Sequence, residues 1–259
     1  MFRISAHTRA QAVTNAADTL HVALPPAYVE QFADAEAFTA AASQTVCQRE
    51  SLHRAVLDAI QEGRDYLSDR GIQAMALNAQ LTEGNILAAA RSRSEQLMLA
   101  ALSDHADDIL DRWADALDEH SAKLAAAANA GVNLNDAAGA VARGGAMMTH
   151  LHNAQVGVRA WTAAANGFYA LAAVAGVRIN ADSATVLTPA RLAELAPAYE
   201  MARDERAREV GVWILARSGL PLKLATLDEF KARAAQMKAD AQAEARNHAA
   251  RANAAGFNR

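Results

Sequence analysis

The chain has 259 residues, 68 of them alanine, with only 5% aromatic residues and a formal net charge of −4. Sheets favour β-branched and aromatic residues, so this composition argues against a strand-rich fold. The small net charge and the long apolar periodicities exclude a disordered chain. Because no basic excess exists to hold a phosphate backbone, we expect no direct binding of nucleic acid.

The N-terminal residues Met1 to His7 lack the apolar core of a secretory signal peptide. A single cysteine, Cys47, permits no internal disulfide. We therefore expect a protein of the cytoplasm, or of an assembly built there. The common phosphate-loop, hydrolase and zinc motifs do not occur in the sequence, so we expect no cofactor and lean away from an enzyme.

Proline and charge divide the chain into regions. Between Pro26 and Pro189 lie 162 residues without proline, which favours long helices. Residues 124–177 carry only three formal charges. We predict an all-α protein whose long amphipathic helices form an elongated bundle or coiled-coil-like array. Its predicted regions are an N-terminal helical region (1–131), an alanine- and glycine-rich core of low charge (132–187) and charged C-terminal helices (188–259).

The N-terminal region is predicted to hold a short helix near 7–19, a second helix that begins at Pro25-Pro26, and a longer helix over about 35–70. Apolar residues keep helical spacing in the longer segment, and Gly71 is the predicted break after it. A further amphipathic helix is predicted over about 82–128.

That helix has two faces, since at about 100° per residue its large apolar residues fall opposite a row of aspartates. The apolar steps alternate near three and four residues, as in a coiled-coil seam. The last helix, which opens with a capping box at Thr226 to Glu229, has similar spacing. We interpret both seams as candidate interfaces. The aspartates are Asp104, Asp107, Asp108, Asp111, Asp115 and Asp118, and the interface candidates are Leu99, Leu102, Ile109, Trp113, Leu117, Leu124, Leu227, Phe230 and Met237.

Residues 160–177 form an uncharged run of 18 residues, which is the lower length limit for a transmembrane helix. The run is mostly alanine and contains Asn166, and the mean hydropathy of the chain is −0.05. We therefore favour a helix buried on all sides in protein, with membrane contact through 160–177 as the alternative.

Short alternation around a polar turn predicts a small β-hairpin near 177–187. After it, Thr188-Pro189 is predicted to begin a helix that Pro197 interrupts. The segment from Ser218 to Pro221 is predicted to stop the helix that precedes it.

The segment Asp107-Asp108-Ile109-Leu110-Asp111 matches the Asp-Asp-x-x-Asp pattern of isoprenyl-diphosphate enzymes, in which carboxylates hold Mg²⁺. The likeness covers five residues, and no second aspartate motif accompanies it. A solvated acidic face, or one that meets a basic partner, explains all six aspartates, whereas metal binding explains three. We keep Asp107, Asp108 and Asp111 as metal-ligand candidates beside that interpretation.

Histidines offer three further patterns. Glu50 and His53 form one Glu-x-x-His, half of what a di-iron bundle needs, and we interpret them as a surface polar pair. His150 and His152 point about 160° apart on a helix and make a poor zinc site. His120 falls on the apolar seam, where protonation near pH 6.5 would affect packing.

The sequence favours a non-catalytic helical structural or assembly protein that acts through self-association or partner helices. The expected partners are further copies of the chain or a larger protein assembly, for example a virion or another multi-copy particle. Alanine seams bury little area, so oligomerisation would supply what one chain lacks. Two alternatives remain: a membrane-associated or membrane-penetrating helical protein that uses 137–177, and a divalent-metal-dependent helical enzyme that uses Asp107, Asp108 and Asp111.

Overall fold

All regular secondary structure that the computed structural model describes is helical, which confirms the all-α prediction. The described residues are 5–44, 49–179 and 183–256. The chain divides into two compact units, one made of residues 1–7 and 26–102 and the other of residues 8–25 and 103–259. Helix α1 (Ala6–Leu20) begins in the first unit and continues in the second. Cys47 lies outside the described residues.

The first unit contains the helices α2 (Pro26–Gln44), α3 (Arg49–Gln61) and α4 (Arg70–Glu83), and most of α5 (Ile86–Asp104). Ser94 of α5 is buried and donates a hydrogen bond from Oγ to the backbone oxygen of Ala35 in α2, at 2.6 Å. Nearby, Ala35 and Met98 form a small buried cluster with Ala6. The core of this unit is therefore assembled from few and mostly small side chains.

The helix predicted over 35–70 is wrong in its extent. It corresponds to the second half of α2 and to α3, which ends at Gln61, and Gly63 then adopts a left-handed backbone with φ of 70°. Gly71 is not a break. It lies in the first turn of α4, where the Asp69 carboxylate accepts hydrogen bonds from the backbone N–H groups of Gly71 and Ile72 at 2.8 and 3.3 Å.

The single helix predicted over 82–128 is two helices, α5 and α6 (Ala106–Asn129), separated by His105. His105 has φ of −106° and ψ of 8°, outside the range of a continuous α-helix. Ser103, Asp104 and His105 all have weak helix propensity, so the chain can break there at little cost. Apolar spacing continues on both sides of the break, which is why the pattern did not reveal it.

The second unit is built around α6 and the long helix α8 (Gly145–Val174), which pack against each other. Six of the ten buried residues of α8 are alanine or glycine, and they let the two backbones approach closely. The remaining helices of the unit are α7 (Ala137–Ala142), α9 (Ala184–Leu187), α10 (Leu192–Asp204), α11 (Val212–Arg217) and α12 (Leu227–Gly256).

We had predicted that the helix over 160–177 is buried on all sides, and this prediction is wrong. Thr162, Asn166 and Ala173 are exposed and mark one solvent-facing side of the helix. The opposite side carries the buried aromatic residues Trp161 and Phe168. The long uncharged run is therefore explained by the packing of the wide buried side of α8, while small or polar residues occupy its exposed side.

The β-hairpin predicted near 177–187 is wrong, because Ala184–Leu187 form the short helix α9; of its predicted turn at 181–183, residues 181 and 182 lie outside the described residues. All four residues of α9 are buried. The backbone oxygens of Val186 and Leu187 accept hydrogen bonds from the N–H groups of Ala225 and Lys223 at 3.0 and 2.9 Å. The β-branched residues Thr185 and Val186 are buried where residues 223–225 pack against α9, and this tertiary packing overrides their preference for a strand.

The C-terminal helices agree with the sequence in part. Helix α10 begins at Leu192, later than predicted, and it continues through Pro197 without interruption. Gly219 follows α11 with φ of 70°, so the predicted stop is confirmed. The capping box is confirmed as well: Glu229 N–H donates to Thr226 Oγ1 at 3.2 Å, and Thr226 N–H donates to a Glu229 carboxylate oxygen at 3.4 Å.

Candidate functional site

Most of the residues predicted to form interfaces are buried in the folded chain. Seven are buried, while Leu99 and Met237 are partly buried. The apolar face of α6 is packed against α8 and α11. The ring of Phe230 in α12 lies 5.3 Å from that of Phe168, centre to centre. The chain therefore covers these seams itself. The buried candidates are Leu102, Ile109, Trp113, Leu117, Leu124, Leu227 and Phe230.

The six aspartates of the acidic row are all exposed. Asp107 has a structural contact, because its Oδ1 accepts a hydrogen bond from the backbone N–H of Leu227, at 3.2 Å. Leu227 is the first residue of α12, so Asp107 satisfies one of the N–H groups that a helix start leaves without an intrahelical partner. Asp107 and Asp108 also lie in the first turn of α6, where negative charge is favourable.

The metal-ligand hypotheses gain no geometric support. Within 5–44, 49–179 and 183–256, no three or more His, Cys, Asp or Glu side chains are placed to hold a metal ion. Asp108 and Asp111 are exposed on α6, and Glu50 and His53 are exposed on α3. His152 is exposed on α8, and His150 is half-buried.

No helix in the described part of the chain combines the length and the hydropathy that crossing a bilayer requires.

The exposed apolar surface is concentrated in the first unit. Eleven large apolar side chains among the described residues are exposed, and nine of them lie between residues 29 and 81. Leu67 is 70% exposed and Leu57 is 64% exposed. Exposed apolar residues are ordinary when scattered, but a concentration of them marks an interaction surface. The nine are Val29, Phe38, Leu57, Ile60, Tyr66, Leu67, Met75, Leu77 and Leu81.

Most of these side chains lie on the hairpin formed by α3 and α4. The hairpin is antiparallel, since Arg49 at the start of α3 forms an ion pair with Glu83 at the end of α4. Between the helices lies an apolar groove of about 580 Å³. Its walls include Leu52, Val56 and Leu57 of α3, Ile72 of α4, and Tyr66 and Leu67 of the connection. We call this feature the α3–α4 groove.

The second unit has a cleft of a different character. It has a volume of about 640 Å³ and is lined by Trp213, Asn133, Asn135, Glu205 and Arg217. Two contacts pair polar groups of this cleft: Arg217 forms an ion pair with Glu205, and Asn133 Oδ1 accepts from the N–H of Asn135 at 3.0 Å. The cleft is therefore a polar surface whose charges are paired, in contrast with the apolar α3–α4 groove.

His120 is a half-buried titratable group of α6. Burial lowers its pKa below the usual 6.5, and the nearby charge of Lys123 lowers the pKa further. Glu119 acts in the opposite direction, and His21 adds to the lowering. The Nδ1 atom of His120 is buried without a hydrogen-bond partner among the described residues. The neutral imidazole is therefore the form that this packing favours.

The α3–α4 groove was not predicted from the sequence. Leu52, Val56, Ile60 and Leu67 were interpreted as the apolar spacing of one longer helix. One signal was present: between Gly71 and Thr82 the sequence has no charged residue but contains Ile72, Met75, Leu77 and Leu81. A short helix with so many large apolar residues and no charge cannot present a solvated face all round, so some part of it must meet protein or remain exposed.

Comparisons with known protein families, with curated proteins and with solved structures find no match to this chain.

Proposed function

We propose that this protein is a non-catalytic helical assembly protein that acts by self-association through its first unit. The observation that carries the proposal is the concentration of exposed large apolar side chains in residues 29–81. Burying such side chains stabilises an association by about 25 cal/mol per Å² of apolar surface removed from water. A multi-copy particle, a virion among the examples, is a setting in which such a surface is covered.

The construction of the first unit supports the same proposal. Its described buried cluster consists of Ala6, Ala35 and Met98, with Phe32, Leu97 and Leu99 packed against it. Larger apolar residues such as Leu57 and Leu67 remain on the surface. Because most of the buried residues of this unit are alanine and large apolar residues remain exposed, association would add to its apolar burial.

The experiment is to measure the mass of the full chain by light scattering after size exclusion and by sedimentation velocity. Concentrations from about 1 to 100 μM cover the range of most specific associations. We expect a mass that is a multiple of 27.4 kDa. An apolar contact persists at high salt, whereas a contact made by the acidic row weakens. A mass of 27.4 kDa at every concentration and salt would refute the proposal.

A further inference from the structure

We propose that the α3–α4 groove is covered by the same groove of a second copy of this chain, so that two hairpins form a four-helix bundle about a two-fold axis. This inference rests on the proposed self-association and names its surface and its partner. Two antiparallel helix pairs with one apolar side each are the components of such a bundle.

The first support is the division of α3 into three sides. At about 100° per residue, Ala55 and Ala59 fall on one side, and Ala59 is fully buried. Glu50, Arg54 and Asp58 fall together on a second side, which carries the charge. Leu52, Val56, Leu57 and Ile60 fall on the third side, within an arc of about 140°. His53 and Arg49 share this arc, and the charge of Arg49 is paired with Glu83. A surface helix normally needs only an apolar side and a charged side, so the third side is the one left for a partner.

The second support is that the groove is self-compatible in charge. About a two-fold axis a surface meets an identical surface, so a surface that carries one sign of charge would bring like charges together. The side chains that line the groove include no Asp, Glu, Lys or Arg. At the turn of the hairpin, Arg64 is already paired with Glu62 at 2.7 Å and with Asp69 at 2.6 Å. A strongly acidic or basic partner would find no opposite charge in the lining, whereas a second copy needs none.

The third support is area. The exposed fractions of the large side chains along this side of the hairpin run from 37% at Tyr66 to 70% at Leu67. With about 150–200 Å² for a fully exposed large side chain, they present about 400 Å² of apolar surface in each copy. A standard stable interface buries about 800 Å² per partner, so these four side chains supply about half of it, and the half-buried Leu52 and Val56 of the lining add to them. The four are Leu57, Ile60, Tyr66 and Leu67.

The test compares two variants of the full chain with the unmodified protein by sedimentation velocity. Leu57→Glu combined with Leu67→Glu places charges on the lining of the groove, at residues that are already 64% and 70% exposed. The matched control is Val141→Glu, which makes a similar change at a residue of the second unit that is 61% exposed. We expect twice the chain mass for the unmodified protein and for the control. The double variant should revert to the single-chain mass, with a dissociation constant raised at least about 100-fold.

The outcomes separate this inference from the proposed function. If the unmodified protein associates and the double variant associates equally well, the groove is not the contact and only the inference fails. If the control dissociates as well, the inference also fails, because the effect is not specific to the groove. If the unmodified protein has the single-chain mass throughout, both fail. Should circular dichroism show that the double variant loses helix, Leu57→Gln and Leu67→Gln are measured singly, and each must raise the dissociation constant at least about tenfold.

Discussion

The contact between Gly167 of α8 and Trp113 of α6 offers a direct test of the packing in the second unit. The indole of Trp113 is fully buried and lies against the Gly167 backbone. A Cβ atom added at Gly167 would lie 2.5 Å from Trp113 Cζ3, closer still to Cη2, and 3.1 Å from the Cβ of Ala16. Real Cβ atoms do not approach neighbours so closely, so Gly167→Ala forces the indole or the helix to move.

Two opposing effects set the magnitude. Replacing glycine by alanine within a helix stabilises it by about 1 kcal/mol. Overpacking a close-fitting core costs about 1–3 kcal/mol, and the cost here is at the upper end because a buried indole is rigid and Ala16 blocks the adjacent space. We therefore expect Gly167→Ala to lower the free energy of unfolding by about 2 kcal/mol.

Urea unfolding followed by tryptophan fluorescence measures the free energy of unfolding of the second unit, since Trp113, Trp161 and Trp213 all belong to it. The control is Gly145→Ala in the first turn of the same helix, where an added Cβ meets nothing within 4 Å. The control should change the free energy of unfolding by less than about 0.5 kcal/mol, in the stabilising direction.

A double-mutant cycle identifies the cause. Trp113→Phe removes the ring atoms that the new methyl group would meet, so Gly167→Ala should cost at least about 1 kcal/mol less in that background. The reasoning is refuted if Gly167→Ala is as stable as the unmodified protein, or if its cost is the same with phenylalanine at 113.

Two further predictions concern α6. Because the pKa of His120 is lowered in the folded state, its stabilising effect is present above pH 6.5 and is lost as the pH falls through the lowered pKa. Urea unfolding between pH 7.5 and 5 should therefore show a decline that His120→Gln reduces, and an equal decline in that variant would contradict the assignment. Asp107→Ala should lower the free energy of unfolding by about 1 kcal/mol more than Asp108→Ala, since only Asp107 accepts from Leu227. Equal losses in the two variants would mean that the contact contributes nothing.

The fold class followed from composition, because alanine and the long interval without proline favour helix wherever tertiary contacts permit it. Local hydrogen bonds were predictable too: the capping box at Thr226 and the stop at Gly219 depend on residues within a few positions of each other. The breaks at His105 and Gly63 were missed, since helical spacing of apolar residues continues across both.

The candidate site was harder to predict from the sequence than the fold class. Periodicity identifies the apolar face of a helix but not what covers that face. The seam of α6 is covered by the chain itself, whereas Leu57 and Leu77 remain exposed on helices with less regular patterns. Similarly, burial under residues 223–225 turned the β-branched segment at 184–187 into a short helix. Contacts between residues far apart in sequence decide these cases.

The hydrogen bond between Asp107 and Leu227 joins residues that are 120 positions apart. Since a ribosome adds about 5–20 residues per second, the partner of Asp107 is synthesised on the order of ten seconds later. During part of that interval Phe168 lacks its ring contact with Phe230. The nascent second unit therefore exposes apolar core to the cell until its last helix arrives, and this is the period in which a chaperone would have most to bind.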